Sequence, residues 1–246
     1  MARSSHDPNR IGTAGWSLYK ATEDRFPGAG GALERYAAVF DAVEINSSFH
    51  RSHRPATYAR WAASVPDSFR FAVKLPKAIT HQQRLIDCED LLIRFADEAG
   101  GLGEKRGPIL VQLPPKLAFE AQIAADFFGL VRTLFGGQLV CEPRHAGWFT
   151  SAADALLVAH QVARVAADPA PVPEAAEPGG WPGLRYTRLH GSPRTYWSAY
   201  DEAAIERHAA EARAADVESW TIYDNTASGA AVGNALAMLE RVAAPG

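Results

Sequence analysis

Short apolar runs alternate with longer, alanine-rich stretches of helical period along almost the whole chain. The apolar runs have the length of β-strands, and the stretches between them repeat their apolar residues every three to four positions. The pattern predicts strands near residues 11–16, 42–46, 69–75, 109–113, 139–142, 164–167, 184–190 and 220–224. It predicts helices near residues 32–40, 56–64, 89–102, 120–135, 152–161, 202–215 and 230–243. This spacing leaves room for a helix to return the chain to the same edge before the next strand begins.

Eight strands alternating with helices predict an α/β fold, a single (β/α)₈ barrel of the TIM type. The alternative is a doubly wound open sheet. The chain has 246 residues, of which 47% are hydrophobic, and can form one large core. We therefore expect one barrel domain over residues 11–246, preceded by a polar N-terminal segment, residues 1–10. Residues 168–182 are rich in Pro and Gly, so the helix after the sixth strand is expected to be short or missing.

Charge and cysteine usage narrow the classes of function. The formal net charge of −3 gives no basic surface for nonspecific binding to nucleic acid or to an anionic membrane. Cys88 and Cys141 are the only cysteines, which does not suit a disulfide framework. No apolar run has the length of a membrane-spanning helix, and the first ten residues lack the apolar core of a signal peptide. A cytoplasmic location without a membrane partner is the expectation.

Polar side chains recur on one face of the predicted strands, near the carboxyl ends. Because side chains alternate along a strand, Glu44 shares a face with Ala42 and Asn46, opposite Val43 and Ile45. The same split in four other strands puts on the polar face Lys74, Gln112, Glu142, Arg188 and His190. If the aliphatic face packs on the helices, the polar face lines the barrel interior at the end where TIM barrels hold their active sites.

Two interpretations of these interior charges remain open. Burying an unpaired charge is costly, so each charge must be paired, solvated in a pocket, or both. An open functional pocket is favoured by the position of the charges at the carboxyl ends of the strands. The alternative is a structural network of buried ion pairs, for example Glu44 with Lys74 and Glu142 with Arg188.

The loops after the seventh and eighth strands indicate an anion site. Small residues there would expose backbone N–H groups to an anion, and Arg144 or Arg188 would add a bidentate contact. A cap on the last helix, from Thr226 or Ser228, would explain the same residues. The predicted substrate-binding or anion-binding residues are Arg144, Arg188, Gln112, Asn46, Asp224, Asn225, Trp16, Trp148, Gly191 and Gly229.

Acid–base chemistry is the second hypothesis, with Glu142, Lys74, His190 and Glu44 as the catalytic residues. Glu44 and Glu142 lie on separate strands, so burial and neighbouring charges can drive their pKa values apart. We expect Glu142 to be the general base, His190 a proton shuttle, and Lys74 and Arg188 charge stabilisers. Lys74 could form a Schiff base if its charge were destabilised, but beside acids it is expected to stay protonated.

Metal binding is the third hypothesis. Glu44, Glu142, His190 and Asp224 form a ligand set of the kind that Mg²⁺, Mn²⁺ and Zn²⁺ sites use. No local spacing such as His-Glu-x-x-His supports a metal, and the nearby arginines and lysine supply positive charge without one. We therefore predict no cofactor and assign no metal ligand, with a divalent metal as the alternative.

Six short motifs occur in a fixed order along the chain. They are VEINSSF (43–49), FAVKLPK (71–77), LVQLPP (110–115), CEPRH (141–145), RLHG (188–191) and YDNTA (223–227). In this order they resemble the signature of the domain-of-unknown-function 72 family, also called YecE-like. The resemblance implies a TIM-type barrel over nearly the whole chain and supplies no activity.

The sequence thus predicts a barrel protein that binds a small anionic molecule, phosphorylated or carboxylated and sugar-like, with isomerase, lyase or hydrolase chemistry. A metal-dependent phosphodiesterase acting on nucleic acid is one alternative. Nucleic acid is the less favoured partner, because the only candidates for a basic groove are Arg51, Arg54, Lys77 and Arg84. A noncatalytic binding or scaffold protein is the other alternative, and the sequence predicts no oligomeric state.

Overall fold

The strands follow the predicted positions closely. The computed structural model describes residues 9–243, so the predicted N-terminal segment, residues 1–10, lies almost entirely outside the described residues. Within this range the strands are β1 (Asn9–Thr13), β2 (Ala42–Ile45), β3 (Arg70–Lys74), β4 (Arg106–Gln112), β5 (Leu139–Glu142), β6 (Val162–Arg164), β7 (Ala166–Asp168), β8 (Gly179–Gly180), β9 (Arg185–Leu189) and β10 (Ser219–Tyr223). The eight predicted strands are confirmed, with the sixth divided into β6 and β7, and β8 is an addition.

The helices lie between the strands. They are α1 (Ala32–Ala37), α2 (Ser47–His50), α3 (Pro55–Ala63), α4 (Glu89–Gly100), α5 (Ala121–Phe135), α6 (Ser151–Ala159), α7 (Glu202–Arg213) and α8 (Ala230–Ala243). The short helix α2 was not predicted. Between β7 and β9 the chain forms only β8 and a single 3₁₀ turn, Pro173–Ala176, which confirms the missing helix there. No helix in residues 9–243 is both long enough and apolar enough to cross a membrane.

The strands pair into two sheets with a mixed α/β architecture. One sheet has the order β1-β10-β9-β7, and the other has the order β2-β3-β4-β5-β6-β8. Neighbouring strands are parallel, except that β8 runs antiparallel to β6. Helical crossovers between parallel neighbours explain why the sequence alternates strands with helices. The pairing does not close the two sheets into one.

The two sheets approach each other at two places. The residue after β1, Ala14, forms an isolated parallel bridge with Glu44 of β2, and the Gly15 amide donates to the Glu44 carbonyl oxygen at 2.9 Å. A Cβ atom at Gly12 would lie 2.2 Å from the carbonyl oxygen of Ala42, so glycine is required for β1 to lie this close to β2. On the other side, only Val165 separates β6 in one sheet from β7 in the other.

Two separate hydrophobic clusters show which strand faces point where. The larger cluster lies between strands and helices and contains the aliphatic positions of the strands, such as Val43, Ile45 and Val73. The smaller cluster draws side chains from strands of both sheets and from two residues that adjoin strands, Val165 and Leu184. Its strand residues are Ala42, Ala72, Leu110, Val140, Ala163, Tyr186, Trp220 and Ile222. The two faces predicted for five of the strands are therefore seen in the structure, with the aliphatic face in the larger cluster and the opposite face in the smaller one.

Candidate functional site

A layer of polar side chains lies next to the smaller cluster. Each of these residues comes two positions after a member of that cluster and so shares its face of the strand. They are Glu44, Lys74, Gln112, Glu142, Arg188 and Asp224, and all are buried. His190 follows Arg188 by two positions and is 2% exposed. Because the strands are parallel, these residues meet at their carboxyl ends, as the sequence predicted.

Arg188 is at the centre of this layer and is fully buried. Its Nε and Nη2 atoms donate to the two carboxylate oxygens of Glu44 at 3.0 and 2.7 Å. Nη2 also donates to Asp224 Oδ2 at 2.9 Å, and Nη1 donates to Glu142 Oε2. Burial lowers the pKa of Arg188, but the three carboxylates outweigh burial and hold it well above its usual range. We call Arg188, Glu44, Glu142, Asp224 and His190 the ion-pair cluster.

The pairing inside the cluster differs in part from the expected structural network. The Glu142–Arg188 pair is confirmed. Glu44, however, is held by Arg188 and by the Tyr186 hydroxyl, which donates to its Oε2 at 2.8 Å, rather than by Lys74. With three acceptor contacts already made, Glu44 is fixed in place.

His190 lies between two carboxylates. Its Nδ1 atom is 3.0 Å from Asp224 Oδ2, and its Nε2 atom is 3.0 Å from Glu142 Oε1. Burial lowers the pKa of His190, but the charge of Glu142 and the hydrogen bonds to both carboxylates outweigh it, so the net shift is upward. Both ring nitrogens lie within hydrogen-bond distance of carboxylate oxygens, which only accept, so this geometry favours the imidazolium form between Asp224 and Glu142.

Glu142 is surrounded by positive charge. Burial raises its pKa, but the charges of Arg188, His190 and Arg144 outweigh burial and hold it well below the usual range. A carboxylate with so low a pKa is a weak base near neutral pH. This environment suits a residue that orients His190 and Arg144 better than the general base expected from the sequence.

Lys74 is the cation in this layer that has no anionic partner. Among residues 9–243, no hydrogen bond or ion pair joins its ammonium group to another residue. Its Nζ atom lies 4.3 Å from the centroid of the Phe49 ring, and the residue is 8% exposed. Burial and the charge of Arg188 lower the pKa of Lys74 to about 8, although the three carboxylates act in the opposite direction. An enclosed cation without a close partner costs stability.

The groups beside Lys74 give the edge of the cluster a positive field. Arg144 donates to Glu142 Oε1 at 3.1 Å and to the Tyr196 hydroxyl at 3.1 Å, with 26% of its side chain exposed. Burial together with the charges of Lys74, Lys77 and Arg144 lowers the pKa of His81. The next strand contributes the Gln112 amide, which makes no hydrogen bond to another described residue. The side-chain amide of Gln112 is therefore available to hydrogen-bond a ligand.

The two predicted tryptophans lie away from these charges. Trp148 is buried in the larger hydrophobic cluster, where its Nε1 donates to the Leu117 carbonyl oxygen at 3.0 Å. Trp16 packs edge-to-face on Trp61 at a centroid distance of 5.1 Å. The structure thus places both rings in hydrophobic packing, and within residues 9–243 no hydrogen bond or ring contact joins either ring to the ion-pair cluster.

The predicted loop residues have mainly backbone-shaping contacts. Gly191 and Gly229 have φ values of +93° and +81°, which favour glycine. The Asn225 amide nitrogen donates to the Ser198 carbonyl oxygen and to Asn234, both at 2.9 Å. Asn46 follows β2 and lies at the start of α2, and its Oδ1 atom is buried without a hydrogen-bond partner in the described part of the chain.

The four candidate ligands of the alternative metal hypothesis do not form a metal site in this arrangement. Residues 9–243 contain no group of three or more His, Cys, Asp or Glu side chains placed to hold a metal ion. The carboxylates of Glu44, Glu142 and Asp224 direct oxygens at Arg188, and His190 uses both nitrogens on carboxylates. The donor atoms face cations rather than a common empty point.

A cavity of about 450 Å³ lies on the other side of Phe49, between the loops after β2 and β3 and one face of α4. Arg51 and Lys77, two of the candidates for a basic groove, line it, while Arg84 donates to the Lys116 carbonyl oxygen. No member of the ion-pair cluster lines this cavity.

A family model described as "Protein of unknown function DUF72" matches residues 10–246. The chain belongs to this family. It is 36% identical over 83 residues to the UPF0759 protein YecE of Escherichia coli K12, and to the YecE protein of E. coli O157:H7 to the same extent. Those 83 residues are 34% of this chain and 30% of YecE, so the match spans less than a third of the curated relatives.

Solved structures of other DUF72 proteins share the fold. One from Enterococcus faecalis V583 superposes with a TM-score of 0.79 at 20% identity, covering 97% of this chain and 96% of that protein. One from Thermotoga maritima MSB8 superposes with a TM-score of 0.74 at 22% identity, covering 94% and 98%. At these identities the comparison establishes the fold and not the chemistry.

Three residues of this DUF72 site are absent from the predicted catalytic and binding residues. Tyr186 lies two positions before Arg188 on the same face, so strand alternation could have identified it. Phe49, which covers Lys74, and Tyr196, which contacts Arg144 and packs against the His190 ring at 5.5 Å, lie outside the strands. No periodic pattern in the sequence reports where such side chains point.

Proposed function

We propose that this DUF72 protein binds a small anionic, sugar-like molecule at the edge of the ion-pair cluster, next to Lys74. The observation that carries this proposal is the enclosed ammonium group of Lys74, which has no anionic partner although three carboxylates lie nearby. Those carboxylates are already held by Arg188 and His190. An anionic ligand would supply the missing partner and recover the cost of burying Lys74.

The neighbouring groups suit a ligand with one anionic group and several hydroxyls. Arg144 offers a half-buried guanidinium whose remaining N–H groups can bind a carboxylate or phosphate. Gln112 and Asn46 carry amide atoms without partners among the described residues, and amides bind sugar hydroxyls well. The positive field at His81 favours the negative charge of such a ligand.

For the chemistry we propose acid–base catalysis of the isomerase, lyase or hydrolase kind. His190, which lies between Asp224 and Glu142, would act as the proton shuttle. Glu142 and Glu44 would hold His190 and Arg188 in position, since their oxygens are fully engaged. Lys74 would stabilise negative charge that develops on the substrate.

This proposal includes a closed (β/α)₈ barrel over residues 11–246 as a single domain. Three observations support it: the bridge between Ala14 and Glu44, the near continuity of β6 with β7 across Val165, and an inner hydrophobic cluster drawn from both sheets. In such a barrel the ion-pair cluster lies at the end where active sites occur. We also propose a cytoplasmic location, which fits the free, buried thiols of Cys88 and Cys141.

A panel of phosphate and carboxylate compounds tests the proposed function through thermal unfolding. We expect at least one sugar-like anion to raise the unfolding midpoint of the wild type, since a ligand that binds only the folded state stabilises it. Arg144→Gln should weaken that ligand about tenfold or more, because it removes a charge-assisted hydrogen bond. Arg60→Gln, an exposed change on α3, is the matched control and should respond like the wild type. No response to any anion, or equal responses of the two variants, would contradict the proposal.

A further inference from the structure

The polar groups in and around the ion-pair cluster are of two kinds: those that have hydrogen-bond or ion-pair partners and those that have none. Arg188, His190, Glu44 and Glu142 all use their charged atoms on one another. Among residues 9–243, Lys74 is the one charged residue of the polar layer whose charged group makes no hydrogen bond and no ion pair. An amine that is enclosed, has no polar partner and belongs to a residue that is still 8% exposed is available for covalent chemistry.

Such an amine has a defined reaction partner. A primary amine adds to the carbonyl carbon of an aldehyde or ketone, and burial that disfavours the ammonium form makes the neutral, nucleophilic form accessible. With a pKa of about 8, on the order of a tenth of Lys74 side chains are neutral at pH 7. The positive field from Arg144 would hold an anionic group of the substrate beside the reacting carbon.

We propose that Lys74 forms a Schiff base with an aldehyde or ketone group of the anionic ligand. This inference rests on the proposed anion-binding function and names its substrate class, an anionic carbonyl compound. The nitrogen lone pair of the neutral amine attacks the carbonyl carbon and a C–N bond forms. The carbonyl oxygen then leaves as water, taking both amine hydrogens, and a C=N bond remains. No oxidant or reductant is consumed.

The other lysines provide internal controls. The chain contains five lysines. Lys105 donates to the carbonyl oxygens of Ala62 and Val65 at 2.8 and 2.7 Å, so its amine is held in hydrogen bonds. Lys20, Lys77 and Lys116 are exposed and report the reactivity of an ordinary surface amine. Lys77 is the closest match, since it lies three positions after Lys74.

Reductive trapping tests the proposal. The protein is incubated with glyoxylate, pyruvate or glyceraldehyde 3-phosphate and cyanoborohydride, which reduces a Schiff base to a stable amine, and labelled peptides are mapped by mass spectrometry. We expect at least one probe to label Lys74 tenfold or more above Lys77, adding the mass of the probe less one oxygen atom. Lactate or glycerol 3-phosphate, which carry no carbonyl group that can react, should compete with the matching probe. Lys74→Arg should lose the selective label, and Lys116→Arg, at an exposed position outside the site, should keep it.

The outcomes separate this inference from the proposed function. If anions stabilise the fold but no probe labels Lys74 above the surface lysines, the Schiff base is wrong and anion binding stands. If no anion stabilises the fold and labelling is uniform, both proposals fail. Selective labelling that persists in the presence of excess lactate or glycerol 3-phosphate would overturn the inference as stated, because the reacting group would then lie outside the anion site.

Discussion

Replacing Arg188 by Met lowers the free energy of unfolding by about 3 to 5 kcal/mol, the range expected when one partner of a buried charge network is removed. The substitution leaves Glu44, Glu142 and Asp224 buried together without the guanidinium charge that all three contact. The three buried carboxylates would repel one another strongly, and the oxygens that accept from Arg188 would lose those hydrogen bonds. Equilibrium unfolding in urea measures the loss directly.

Two variants control this result. Arg25→Met removes an exposed ion pair with Glu240 and should change stability by less than about 1 kcal/mol, as surface pairs do. The double variant Arg188→Met/Glu44→Gln removes one of the stranded charges and should recover part of the loss. If Arg188→Met lost less than about 1 kcal/mol in its free energy of unfolding, the cluster would have to be hydrated or rearranged, which contradicts a buried network of ion pairs.

Replacing Lys74 by Met has the opposite effect and raises the free energy of unfolding at pH 7 by about 1 to 3 kcal/mol. The upper figure follows from a pKa lowered from 10.5 to about 8, and the cation–π contact with Phe49, which the variant loses, reduces the gain. Below pH 8 the lysine is protonated in both states, so the folded protein bears the full cost of burying the charge. Between pH 8 and about 10.5 the unfolded state holds the extra proton, so the stability of the wild type rises relative to the variant.

Urea unfolding at several pH values tests the sign of this effect. The advantage of Lys74→Met should be largest below pH 8 and vanish as the pH approaches about 10.5. Lys116→Met, at an exposed position, should show neither the gain nor the pH dependence. Destabilisation of Lys74→Met at neutral pH would mean that Lys74 has a structural partner and that the cluster supports the fold rather than a ligand.

The polar layer could be predicted from the sequence because strand alternation depends only on local backbone geometry. Because successive side chains of a strand point to opposite faces, Glu44 lies on the face of Ala42 and opposite Val43. The same rule places Lys74, Glu142 and Arg188 without any knowledge of neighbouring strands. The missing helix before β9 could also be predicted, since Pro and Gly break helical periodicity locally.

The partners within that layer could not be predicted, because they depend on which side chains meet across the interior. Arg188 on β9 reaches Glu44 on β2, a strand of the other sheet, and that distance is set by the packing of the inner cluster. Trp148 illustrates the same limit in a loop. It follows the polar motif directly, yet a turn after His145 carries its ring into the larger hydrophobic cluster.

The central claim is that Lys74, beside the ion-pair cluster, is an unpaired cation that binds an anionic ligand. The most direct test of it is the midpoint temperature of unfolding with and without the best anion of the panel. We expect this anion to raise the midpoint of the wild type and to leave that of Lys74→Met unchanged, although the variant alone is the more stable protein. An equal rise in both proteins would contradict the claim, since the anion would then bind without Lys74.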